Sequence, residues 1–192
     1  MSINLLEVQG VKCSSISSGI KKNNALDLSL ISLIKGSKTV AVFTQNIFCA
    51  APVLVAKNHL NSHVEALLIN SGNANAGTGK KGLEDAYESC EIIAKELLIE
   101  PEQVLPCSTG VIGELLPLEV FKTNANLLVS SLSKDGISQV AKGILTTDLV
   151  EKSYSTSFRV GGNIVTLSGI AKGSGMIRPD MATMLSFIVS DI

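Results

Sequence analysis

The chain contains no tryptophan, and its few phenylalanines and tyrosines make the aromatic share only 4%. Stacking platforms for single-stranded nucleic acid need such rings, so that class of partner is disfavoured. Positive charge is not in excess either. The formal net charge is -1 and no basic stripe runs along the sequence, which argues against a phosphate backbone as ligand. No apolar run reaches the roughly 18 residues of a membrane-spanning helix. "MSINLLEVQG" lacks a basic region followed by an apolar stretch, so no signal peptide is read. Cysteine is sparse. Cys13, Cys49, Cys90 and Cys107 form no CxxC pair, and buried reduced thiols in a cytoplasmic protein are the expectation. The two histidines, His59 and His63, are four apart. On a helix they would share a face, but no third ligand lies at a telling spacing, so surface histidines and no metal are expected.

What is present is a globular composition: 45% hydrophobic and 17% charged over 192 residues, enough for one good core or two small packed units. "ALDLSLISLI" and "TVAVFTQN" read as short strands. Val64 to Ile69 reads as a buried strand entering a glycine-rich loop. From Gly82 the spacing of Leu83, Ala86, Tyr87, Cys90, Ile93, Ala94, Leu97 and Leu98 predicts a helix. Glu84 and Asp85 are placed in its first turn, and Pro101 marks its stop. "QVLPCSTGVIG" predicts a strand and a tight turn. "LEVFKTNANLLVSSL" and "GISQVAKGILTT" predict two more helices, the first with Val120, Asn124, Leu127, Leu128 and Ser131 along one side. "STSFRVGGNIVTLSGIAKG" predicts a hairpin turning at "VGGN", and Met184 to Val189 a last apolar strand. Strands, then helices, then strands suggest α+β layers rather than a βαβ repeat.

Several chemical signals fail on inspection. "GNANAGTGKKG" has the glycine gap of a phosphate loop between Gly72 and Gly77, but Thr78 and Gly79 follow where Lys and Ser are needed. Either a plain turn or a loop of amides that accepts an anion remains open. Cys107 has no histidine that sequence can place beside it as a base, so burial is favoured over catalysis.

"GSGMIRPDMATMLSFIVSDI" carries more. A threonine that becomes the first residue of a chain brings its own base, because its α-amine titrates at about 7.7–8.0 beside its own hydroxyl. The bond ahead of it must first be cut. Attack by Thr183 Oγ on the Ala182 carbonyl turns the amide into an ester that water can open. Pro179, Gly173 and Gly175 shape a restricted approach, and Ala182 is small enough not to block it. The cut and any later acyl transfer pass through a tetrahedral oxyanion that needs preorganised donors. The Thr109 hydroxyl and the Gly110 amide in "CSTGVIG" are candidates.

Six stretches together resemble the ornithine acetyltransferase family, the bifunctional glutamate N-acetyltransferase and amino-acid acetyltransferase of arginine biosynthesis. They are "GVKCSSISSGIK", "VAVFTQNIFCAAPV", "LLINSGNANAGTG", "VLPCSTGVIGELLP", "ILTTD" and "AKGSGMIRPDMATMLSF", in the family's order and over nearly the whole chain. The resemblance implies a layered sheet-and-helix sandwich of the self-cleaving N-terminal-nucleophile aminopeptidase/ornithine acetyltransferase type. It implies cleavage at Ala182–Thr183, with Thr183 then the acetyl acceptor, Thr109 and Gly110 as the oxyanion hole, and Thr146 and Lys172 as substrate-binding residues. The implied reaction is ping-pong. Acetyl moves from N-acetylornithine to Thr183 and on to glutamate, with no cofactor and no metal; some members take acetyl-CoA as donor. The run "LVEKSYS" after "TTD" departs from the family's usual Thr and Pro-Lys, and Ile47 stands where a basic residue is common.

Family members are about twice this length. The resemblance therefore implies that residues 1–182 form the first subunit and 183–192 the start of the second. The expected partner is that second half, in a heterotetramer of two chains of each kind, with neither nucleic acid nor membrane as partner. The chain alone is expected to be inactive. Two rivals stand beside this reading: a self-cleaving threonine aminopeptidase or hydrolase, and an inactive truncated paralogue that only binds a partner subunit.

Overall fold

Alternation along two adjacent strands sorts the core into two halves. In β2 (Leu28–Leu33), Leu28 and Leu30 point to one side and Ile31 to the other. In β3 (Ala66–Asn73), Ala66 and Leu68 join the first side and Leu67 and Ile69 the second. Both strands are apolar on both faces, which requires a layer above and a layer below. The computed structural model, which describes residues 5–175 and 183–192, supplies both.

The central sheet has the order β1-β2-β3-β4, with β1 spanning Val11–Ile16 and β4 spanning Val104–Val111. β1/β2 and β2/β3 are antiparallel and β3/β4 parallel. On one face lie three helices: α1 (Ala51–His59), α2 (Gly79–Leu97) and α3 (Leu118–Ser130). They bury Val55, Ala86, Cys90, Ile93, Phe121, Ala125 and Leu128 against Leu28, Leu30 and Leu68. Each buried Leu, Ile or Phe contributes about 1.5–3 kcal/mol.

Below the sheet lie α4 (Ile137–Gly143) and a second, antiparallel sheet of order β5-β6-β7. Its strands are Lys152–Val160, Asn163–Lys172 and Leu185–Ser190. Ile137, Val140, Ala141 and Ile144 meet Ile31, Ile69, Ile170 and Val189 in the second core. The β5/β6 hairpin turns at Gly161 and Gly162, both at positive φ (+56° and +90°), the pair of conformations that a two-residue turn of this twist demands.

Four expectations are corrected. "TVAVFTQN" is no strand: residues 38–46 have no regular structure, because no strand pairs with them among the described residues. α2 begins at Gly79, one turn earlier than expected, so Glu84 and Asp85 fall in its second turn. At its other end the chain leaves α2 through Leu98 in the left-handed conformation (φ +58°), and Pro101, just beyond, opens a short 3₁₀ turn. α3 buries Phe121, Ala125 and Leu128, whereas Leu127 is exposed, so its inner face is rotated one position from that expected. The fourth concerns His59, which ends α1 with its side chain buried, not on the surface. Its Nδ1 lies 2.8 Å from the Val104 carbonyl and its ring packs against Tyr87. No group of three or more His, Cys, Asp or Glu placed to hold a metal occurs among the described residues. Among them, too, no helix is long and apolar enough to cross a membrane.

Candidate active site

The lower sheet delivers one ammonium to the end of the upper one. Lys172 is the last residue of β6 and is almost fully buried. Its Nζ donates to Thr109 Oγ1 at 2.8 Å and to Thr146 Oγ1 at 2.9 Å. Thr109 comes from β4, and Thr146 from the loop that leaves α4. Three residues picked from three separate stretches of sequence thus share one nitrogen. Burial lowers the Lys172 pKa; the charge of Asp148 opposes this and that of Lys152 adds to it. An ammonium has three N–H donors, and the third has no hydrogen-bond partner among the described residues. Each threonine hydroxyl, having accepted from a cation, still has its own proton to donate, and is polarised to do so.

Gly110 follows Thr109 at a break in the β3/β4 ladder, where the register shifts at Gly72 and Asn73. Its φ is +138°, and a Cβ there would lie 2.3 Å from the Gly72 carbonyl carbon and 2.6 Å from Asn73 N. Only glycine fits against that backbone. Asn73 fixes the loop beyond, donating to the carbonyls of Glu114 (3.2 Å) and Leu115 (3.0 Å).

Thr183 lies just before β7, whose register sets Leu185 opposite Lys172. That pairing returns Thr183 toward the end of β6. It is exposed, and its φ of +59° is a left-handed value that β-branched residues rarely adopt. Thr109, Gly110, Thr146, Lys172, Ser174 and Thr183 all line one open cleft of about 2090 Å³. Ala182 and Pro179 lie outside the described residues, whereas Gly175 sits in open space.

Supporting residues went unnoticed in the sequence. Asp27 is fully buried and gathers the loop after β1. It accepts from the Ser18 amide and hydroxyl (both 2.7 Å) and from the Gly19 (3.2 Å) and Lys21 (2.8 Å) amides. Lys21 Nζ then donates to the carbonyls of Leu26 (2.7 Å) and Gly143 (3.2 Å). Ser71 Oγ donates to the same Gly143 carbonyl, pinning the end of α4 three residues before Thr146. Lys21 also has a lowered pKa. Burial is the main cause, Asp27 opposes it, and Lys172 adds to it. The cleft is thus floored by two lysines. Replacing Asp27 with alanine leaves these buried donors unpaired and is expected to cost about 3 kcal/mol, read as a lower urea midpoint.

"GNANAGTGKKG" is a built turn. Asn75 donates to the Gly82 carbonyl (2.8 Å) and accepts from Thr78 Oγ1 (2.8 Å). Cys107 is half-buried in the cleft wall, where desolvation raises its pKa to about 12. It is a thiol, not a thiolate, at neutral pH.

A cationic, hydroxyl-lined cleft between two sheets with helices packed against them fits the layered sheet-and-helix sandwich of N-terminal-nucleophile type. The comparisons narrow it. The ArgJ family model matches residues 12–192. Two relatives, each named arginine biosynthesis bifunctional protein ArgJ, come from Methylococcus capsulatus and Colwellia psychrerythraea. They are 46% and 42% identical over 98% and 97% of this chain. The chain covers 46% and 47% of their lengths, so it spans about half of the curated relatives it matches. The crystal structure of the ArgJ protein from Bacillus halodurans superposes with a TM-score of 0.85 at 38% identity, covering 91% of this chain and 92% of that one. Ornithine acetyltransferase from Mycobacterium tuberculosis, solved with ornithine, gives 0.79 at 31%, covering 90% and 92%. The chain belongs to the ArgJ family and has its fold.

Proposed function

We propose that this chain is the first half of an ornithine acetyltransferase of arginine biosynthesis, with residues 1–182 as one subunit and Thr183 opening the next. Thr183 Oγ attacks the Ala182 carbonyl, the C–N bond breaks and frees the Thr183 amine, and water opens the resulting ester to release the Ala182 carboxylate and restore the Thr183 hydroxyl. That amine then takes the hydroxyl proton as Oγ attacks the acetyl carbonyl of N-acetylornithine. The proton goes to the leaving nitrogen and ornithine departs. Glutamate takes acetyl from the threonine ester, giving N-acetylglutamate. The Thr109 hydroxyl and the Gly110 amide are the donors for the oxyanion of each step. The α-carboxylate of the acyl amino acid sits on the free Lys172 N–H, with Thr146 beside it.

The observation that carries this reading is the single Lys172 nitrogen bonded to both Thr109 and Thr146 at the cleft that Thr183 lines. That geometry supports a carboxylate anchor beside an oxyanion donor, the pair that an acylated amino acid requires. The unusual φ of Thr183 supports a strained junction, since such conformations cost roughly 1–3 kcal/mol and are relieved by cutting.

The second half covers what this chain leaves open. Val40 and Ile47 are 94% and 102% exposed on the cleft-side segment 38–48, joined there by Val42 and Phe48. β4 and β7 are sheet edges among the described residues. Unpaired edges and apolar surface of this kind call for a partner. On this account the chain alone does not catalyse transfer, and the working assembly pairs two copies of each half.

Incubating the complete assembly, this chain with its second half, with N-acetylornithine and glutamate tests the reading. N-acetylglutamate is the expected product. Release of acetate alone would favour the hydrolase instead. Exchanging Lys172 for methionine is expected to raise KM for N-acetylornithine about 10- to 100-fold, from loss of a charged hydrogen bond.

A further inference from the structure

Three consecutive residues after α4 grip Lys172, which ends β6, and the two residues that follow it. Thr146 accepts from Lys172, the Thr147 and Ser174 hydroxyls lie 2.8 Å apart, and Asp148 Oδ1 accepts from the Gly173 amide at 2.8 Å. The third member is the unusual one. The Asp148 side chain is fully buried. Oδ1 also takes a 2.6 Å bond from Lys152 Nζ, while Oδ2 is buried and meets no donor among the described residues. A buried carboxylate with an oxygen to spare costs free energy unless its charge serves a neighbour. The neighbour in question is Lys172, the residue before Gly173.

We propose that Asp148 is the positioning residue of this site: it holds the Lys172–Ser174 turn by the Gly173 amide and keeps the Lys172 ammonium charged for a substrate carboxylate. The inference rests on the acetyltransferase reading and adds to it a residue that acts through Lys172, not on the substrate. The charges around Lys172 come from three elements. Lys21 approaches from the loop after β1, itself facing Asp27; Lys152 comes from β5; Asp148 comes from the loop after α4. The Thr109 and Thr146 hydroxyls complete the surroundings. Burial and the two other lysines all favour neutral Lys172, and Asp148 is the one neighbour among the described residues that opposes them. Burial pushes the Asp148 carboxyl up, but the bonds from Lys152 and Gly173 and the nearby ammoniums outweigh it and hold the pKa below the ordinary value. It is therefore an anion across the working range.

The charge effect has a sign that a structural role does not. Asp148→Asn keeps a carbonyl acceptor for the Gly173 amide and removes the negative charge, so Lys172 loses its proton at lower pH. Lys152→Gln removes a repelling cation, so Lys172 keeps its proton to higher pH. The probe is N-acetylglutamate, which carries no amine of its own to titrate. Its single-turnover transfer of acetyl to Thr183 is followed by intact mass in the complete assembly, across the range where lysine titrates. The alkaline limb of the rate is expected to move down by roughly one pH unit in Asp148→Asn, and up, by less, in Lys152→Gln, whose cation is half exposed. If Asp148→Asn does not fold, the direction in Lys152→Gln decides: an upward move supports the proposal, and no move or a downward one overturns it. An acetylated wild type whose limb ignores both substitutions, or moves the same way in both, sinks this inference alone. A wild type that takes up no acetyl group sinks the acetyltransferase reading and this inference with it.

Discussion

Thr183→Ala in the complete assembly is expected to leave the Ala182–Thr183 bond uncut and to lower acetyl transfer by at least about 10⁴-fold. In the proposed mechanism one atom serves both steps. Without Oγ there is no ester to replace the peptide bond, so the α-amine that would act as base is never released. A residual rate from oxyanion donors and binding alone would also be denied, because the uncut chain still occupies the position of the new terminus. Thr183→Ser separates the two contributions. It keeps a hydroxyl and, after cleavage, an amine, so cleavage and transfer are expected to persist at reduced rates. Denaturing gel analysis reads the cut, and a coupled assay for ornithine release reads the transfer. Full cleavage in the alanine variant would show that another group performs the scission.

Gly110→Ala is the second large effect, and its stability arm does not depend on the identity of the substrate. A methyl group there would stand 2.3 Å from the Gly72 carbonyl carbon, inside the contact distance of any two atoms, and φ is +138°. The neighbour is backbone of β3, which cannot swing aside as a side chain does. Either β3 and β4 separate at the bulge or the 110 peptide rotates. Both move the amide proposed to face the oxyanion. The expected outcome is a loss of about 3 kcal/mol in unfolding free energy and a fall in kcat of on the order of 10²–10³. Calorimetry of this chain reads the first and steady-state kinetics of the complete assembly the second. A variant as stable as wild type would contradict the packing described.

The contrast between residues read correctly and residues missed has a physical basis. α2 was legible because its apolar positions repeat at 3.6 residues over about four turns, and the β5/β6 hairpin because a Gly-Gly pair fixes its turn chemistry. α1 was not foreseen. "APVLVAKNH" is apolar on most sides, so it offers no stripe, although Pro52 at its start was a usable signal. Segment 38–46 misled in the opposite way: Val40 and Val42 alternate as a strand should, but alternation cannot tell whether a partner strand exists. In the site, Thr109 and Thr183 were candidates from their own stretches of sequence, whereas Thr146 and Lys172 were expected only through the family resemblance. That one nitrogen ties three of them together could not be read from sequence, because the contacts span 63 and 26 residues. Asp27, Lys21 and Asp148 were missed for the same reason. Each is an ordinary charged residue in a short loop until folding buries it, and Asp148 stood unnoticed inside the quoted run "ILTTD".

The fate of one acetyl group reports on the Thr183 hydroxyl itself. The complete assembly is exposed briefly to N-acetylornithine without glutamate, quenched in acid, and its chains are weighed intact and then after proteolysis. The expected result is a chain that begins at Thr183 and carries one additional acetyl group, on the Thr183 hydroxyl, lost when glutamate is added. An uncut chain, or a cut chain whose acetyl group sits elsewhere or never appears, would contradict the proposed mechanism.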